Sequence, residues 1–90
     1  ERALRLDPAH SGALNTLAVA HASSGAYDTA LALLHRARAA HPDHSLTWFN
    51  FGVTLAAKGD KPGAEKAFRE AIRLQPDLAE ARDRLARLLL

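Results

Sequence analysis

The chain has no cysteine and no methionine, few aromatic residues, and only five glycines and four prolines in 90 residues. Without cysteine there is no disulfide framework, no thiolate metal site and no thiol nucleophile. No apolar run approaches the roughly 20 residues that cross a bilayer, and the opening Glu1-Arg2-Ala3-Leu4-Arg5-Leu6 is not a signal peptide. The expectation is a soluble chain that does not engage a membrane, with its compartment left open. Lacking an initiating Met, it reads as an excised segment. No one sign of charge dominates either: the net is +2, and bases are interleaved with acids, as in Glu65, Lys66, Arg69, Glu70 and Arg73. A nucleic-acid binder would show a basic face with stacking aromatics or a reading motif, and neither is visible.

What is there is alanine and leucine, with glycine and proline sparse and isolated. That composition favours an all-α fold. The prolines then set a period, because Pro8, Pro42 and Pro76 stand 34 residues apart. The same step superposes Ala3, Ala37 and Ala71, then Leu17, Phe51 and Leu85, then Ala18, Gly52 and Ala86. It also pairs Gly25 with Gly59, Ala30 with Ala64, and Leu34 with Phe68.

Each period predicts two helices. The first starts after the proline, where Asp43 and Asp77 are placed to cap free N–H groups, Asp77 and Glu80 having the spacing of a reciprocal capping box. It ends near Gly25 or Gly59, which supply a left-handed residue. The second helix carries Pro62 in its first turn, where a missing N–H is harmless. Small residues (Ala18 or Gly52 against Ala30, Ala64, Ala37 and Ala71) allow close helix approach. Two stripes, Leu14, Leu17 and His21, and Trp48, Phe51 and Leu55, are predicted to fill the flanks.

The run Trp48-Phe49-Asn50-Phe51-Gly52, followed by Gly59, Ala64, Phe68, Ala71 and Pro76, resembles the tetratricopeptide repeat, a 34-residue helical hairpin. The resemblance covers nearly the whole chain: the end of a preceding repeat at 1–8, repeats at 11–44 and 45–78, and a terminal or capping helix at 79–90. The first repeat is weaker, with Leu14, Ala18 and His21 at the usual Trp, Gly and Tyr places. Arg82 takes the Trp place in the last helix, as expected of a cap, although Leu88, Leu89 and Leu90 are unusual in a solvated helix. The resemblance implies an α-solenoid of antiparallel hairpins, stacked as a right-handed superhelix, with the first helix of each pair lining a concave groove.

By the repeat offset, that groove takes Gly12, Asn15, Val19, Ala22 and Ser23 from one repeat, Leu46, Phe49, Asn50 and Val53 from the next, and Glu80, Asp83, Arg84 and Arg87 at the end. Phe49 is the expected anchor for an apolar side chain of a partner, and its loss is expected to weaken binding without disturbing the fold. A clamp for acidic C-terminal tails, known in the family, is largely absent: Asn15, Val19 and Glu80 replace its Lys, Asn and Lys. An asparagine ladder of the glycosyltransferase arm would have Asn50 as one rung, interrupted by Thr16 and Arg84.

The expected function is therefore non-catalytic binding of a peptide or helix of another protein. The alternatives are a substrate-recruiting arm of a larger enzyme, such as a glycosyltransferase, and self-assembly into a homo-oligomer through the terminal helices. No cofactor is implied. His41, His44 and His10 sit at interhelical corners without the spacing that converges on zinc. His21, Ser23, Ser24 and Asp28 lack a nucleophile elbow or any other catalytic context.

Overall fold

The computed structural model describes residues 8–90, with side chains from residue 11 onward. It consists of five helices: α1 (Pro8–Ser23), α2 (Tyr27–Ala40), α3 (Ser45–Lys58), α4 (Lys61–Leu74) and α5 (Ala79–Leu89). No strand occurs among the described residues. α1 pairs with α2 and α3 with α4 as hairpins, α2 packs on α3, α4 on α5, and α1 touches α3. This is the predicted all-α stack of hairpins. The proposed tail of a preceding repeat falls, apart from Pro8, outside the described residues.

Both first helices stop for the expected reason. Gly25 and Gly59 have φ of 89° and 99°, a region that side chains avoid. At each, two amides return to the last turn: Gly25 N donates to Ala22 O and Ala26 N to His21 O, and Gly59 N to Ala56 O and Asp60 N to Leu55 O. These paired bonds satisfy carbonyls that the helix end would otherwise leave open.

The starts differ from expectation. α3 and α5 are preceded by His44 and Leu78, and neither makes a side-chain cap bond. Asp43 and Asp77 sit one residue further back, inside the proline turn, so their carboxylates do not cap the helices and the Asp77–Glu80 box does not form. The acidic cap is instead Asp60, whose side chain accepts from Gly63 N at 3.0 Å, beside Pro62 in the first turn of α4. Deleting such a cap typically costs about 1 kcal/mol.

Two apolar clusters form the core. One gathers Leu14, Ala18, Ala30, Leu33, Leu34, Ala37, Phe51 and Ala67, the other Phe49, Ala64, Phe68, Ala71 and Ala81. The alanines at the helix crossings are essentially inaccessible, which is why the axes pack closely. Leu17 departs from the predicted stripe, being 48% exposed. Its equivalent, Phe51, is covered by α2.

The turn between the hairpins carries a second polar layer. Ser45, at the start of α3, donates to the Gln75 side chain just beyond α4. One period earlier Ser11 meets a different partner set, lying 3.4 Å from both Ala37 O and His44 Nδ1. His41, in the place of Gln75, stacks on His44 at 5.2 Å, and its buried Nδ1 has no hydrogen-bond partner. Burial, and then the neighbouring His41, push His44 below the ordinary imidazole pKa. The folded chain therefore prefers neutral His44, and the unfolded chain takes up its proton first. That contribution to stability is complete above about pH 7 and is lost as pH falls through the unfolded value of about 6.5. Thermal melts from pH 8 to 5 should show a decline that is shallower in His44→Asn, and parallel declines would remove His44 as a cause.

Candidate functional site

The repeat places corresponding residues of α1 and α3 side by side, and a shallow cleft of about 140 Å³ opens between them. Val19, Ala22 and Ser23 line it from α1, and Asn50, Val53, Thr54 and Ala57 from α3. Val19 is 47% exposed and Leu46, further along α3, is 42% exposed. Val53 is half-buried. The cleft thus presents aliphatic side chains around one amide group.

That amide is held from below. Asn15 Nδ2 donates to Thr47 Oγ1 at 2.8 Å and to Ser11 O at 3.1 Å, and its Oδ1 accepts from Asn50 Nδ2 at 2.9 Å. Asn15 and Thr47 are 2% and 0% exposed. A buried polar chain of this kind persists because each member is satisfied, and it fixes the rotamers that take part. Asn50 spends one N–H on Asn15 and lines the cleft with the rest of its amide.

Two predicted groove residues lie elsewhere. Phe49 does not stand free as an anchor: it is 8% exposed, its ring packs 5.9 Å from Phe68, and Arg84 Cζ lies over the ring, 5.8 Å from its centroid. Its truncation would open the core, so it does not separate binding from folding. Asn15 is likewise interior. The two are equivalent by the 34-residue step, and each faces the first helix of the next repeat, Asn15 towards Thr47 and Asn50, Phe49 towards Ala81 and Arg84. The position therefore joins successive repeats. Repeat equivalence carries this signal, whereas hydrophobicity of a single helix does not.

The charged end is self-engaged as well. Arg87 pairs with Asp83 at 3.2 Å, and both they and Arg84 are exposed on α5. Arg84, Arg87, Leu88, Ala56 and Phe68 surround a second shallow hollow. Arg82 is exposed, Leu88 half-buried, and Leu89 55% exposed.

Among the described residues no three His, Asp or Glu side chains are grouped to hold a metal, and no helix is long and apolar enough to cross a membrane. The His10 side chain lies outside the described residues. No curated protein is similar enough to be matched to this chain. The family model for the tetratricopeptide repeat matches residues 1–45 and 22–79. With hairpins recurring at 34 residues, paired glycine stops and alanine-lined crossings, the chain belongs to the tetratricopeptide-repeat family.

Proposed function

We propose that the chain binds an extended segment of another protein across α1 and α3, with Val19, Ala22, Val53 and Ala57 receiving an apolar side chain and Asn50 bonding to the segment's backbone. Tetratricopeptide repeats are generally protein-interaction modules. The observation that carries the specific reading is the convergence of aliphatic side chains from successive repeats around one immobilised amide. Leu46 extends the apolar strip, and Ser23, Asn50 and Thr54 give it a polar margin. An apolar centre with a polar rim is the usual anatomy of such contacts.

Peptides selected from a random display library on the 90-residue chain provide the test. Val19→Glu places a charge in the cleft at an exposed position, and Val53→Glu does so at a half-buried one, so the folded state of the latter is checked by its thermal melt. Each should weaken the selected peptides by at least about tenfold, the effect of losing one contact worth about 1.4 kcal/mol. Undiminished affinity in both variants would move the site away from this face.

Self-association is the second reading, favoured by the exposure of Leu89 on α5. Sedimentation of the chain at rising concentration tests it: a monomer throughout would dismiss it.

A further inference from the structure

α3 carries a second cleft on its other side. Successive helical residues turn by about 100°, so positions two apart point nearly opposite ways. Asn50 and Val53 face α1, whereas Trp48, Phe51 and Leu55 face the gap between α2 and α4. That gap is the larger of the two, about 370 Å³, floored by Trp48, Phe51, Leu55, Leu31 and Ala67.

The floor is aromatic and rigid. Trp48 Nε1 donates to Pro42 O at 3.3 Å, so the indole has its polar edge satisfied and offers its ring. Phe51 lies 5.6 Å from it and is 5% exposed, and His35 meets Phe51 edge-on at 5.0 Å.

The rim has a sign. Arg38 lies 5.6 Å above the Trp48 ring and 5.9 Å above Phe51, and among the described residues its side chain bonds only to His35 Nδ1. Lys66 stands across from it on α4. Neither pairs with a carboxylate among the described residues, while Glu70, the one acid on this rim, is taken by Arg73. A guanidinium stacked on aromatic rings keeps its N–H edge available for a carboxylate.

We infer that this cleft between α2 and α4 is a second docking surface, which takes an acidic amphipathic helix of a partner protein: its apolar stripe lies on Trp48, Phe51 and Leu55 and its carboxylates meet Arg38 and Lys66. The lining residues Leu31, His35 and Arg38 span about two helical turns of α2, or roughly 10 Å. A groove of that length suits two turns of an inserted helix, the common helix-in-groove mode. The surface is distinct from the one between α1 and α3, and both can be filled at once.

Trp48 is the only tryptophan, so its fluorescence reports occupancy directly. The probe is a synthetic amphipathic helix of about 14 residues, four turns, with leucine along one face and glutamate beside it, and a twin with lysine for every glutamate. The acidic peptide should shift Trp48 emission, and in amide-correlation NMR it should perturb Leu31, His35, Arg38 and Lys66 while Val19 and Val53 stay in place. Lys66→Glu and Arg38→Glu should each weaken it by about tenfold or more, whereas Val19→Glu, at an exposed position on α1, should leave it unchanged. Lys66 is exposed, so its variant tests the charge without disturbing the aromatic floor. Equal binding of the lysine twin, perturbations confined to Val19 and Val53, or no binding at all would each overturn the inference.

Discussion

Phe68→Ala should cost about 4 kcal/mol, within the roughly 3–5 kcal/mol typical of emptying a buried phenylalanine site. Phe68 is 1% exposed and touches Phe49, at 5.9 Å between rings. The ring also closes on the backbone of α3 at Gly52. A Cβ built on Gly52 would stand 2.5 Å from Phe68 Cε1, 2.6 Å from Cδ1 and 2.8 Å from Cζ. Those distances are too short for carbon contacts, so the ring must shift from its packed position on Phe49 to admit the methyl group. The glycine is thus the complement of the phenylalanine. In an exposed helix interior, Gly→Ala would gain about 1 kcal/mol of helix propensity. Here Gly52→Ala should lose about 1–2 kcal/mol, because overpacking outweighs the propensity gain. The two changes should also couple: in a Phe68→Leu background, which keeps a core side chain but clears the ring, Gly52→Ala should become neutral or stabilising. Denaturant unfolding of the parent chain, the two single variants and the double variant decides the matter. A Gly52→Ala penalty that persists unchanged in the Phe68→Leu background would show that the ring is not its source.

The same pair shows how much of the fold is legible in the sequence. Gly52 and Phe68 both fall on the 34-residue step, as do the glycine stops and crossing alanines, because positions that close a helix or let two axes meet are constrained in every repeat. The helix starts are less legible. Aspartate after proline resembles a cap in a linear sequence, but the proline turn leaves Asp43 and Asp77 short of the helix, and the spacing alone does not reveal the turn's geometry. Asp60 escapes notice beside Pro62, although an acidic residue just ahead of a first-turn proline is itself a cap signal. Groove residues are legible only in part. Val19, Asn50 and Val53 converge, but Phe49 and Asn15 point at the next first helix. Phe49 and Asn50 are one step apart, about 100° of rotation, while Asn15 and Val19, like Phe49 and Val53, are four apart and only about 40°, so a largely apolar helix like α3 does not say which of its neighbouring positions the next repeat covers. The cleft between α2 and α4 is hidden for the opposite reason: Trp48, Phe51 and Leu55 read as core, yet only Phe51 is fully buried.

Asn15→Ala should destabilise the chain by about 2–4 kcal/mol, more than its size suggests. The side chain is 2% exposed and makes three hydrogen bonds, two donated and one accepted. Its removal leaves the Thr47 hydroxyl, 0% exposed, and one Asn50 N–H unpartnered, and a buried polar group without a partner costs about 1–3 kcal/mol. Asn15→Asp sharpens the argument through pH. Both carboxylate oxygens accept, so Asn50 remains served, but Ser11 O then faces an acceptor and an unpaired charge is buried. Such a carboxyl would be held above its ordinary pKa, and the folded chain would bind the proton more tightly than the unfolded one. Stability of this variant should therefore fall as pH rises from about 4 to 7 relative to the parent chain, the reverse of the His44 effect. The binding consequence follows from the same bond: Asn50 is positioned by Asn15 Oδ1, so Asn15→Ala at a temperature where it remains folded should weaken peptides selected for the α1–α3 cleft. Those docked between α2 and α4 should be unaffected, because Trp48 and Arg38 do not touch the asparagine chain. A uniform loss at both clefts would mean that the variant had loosened the whole hairpin stack rather than one amide.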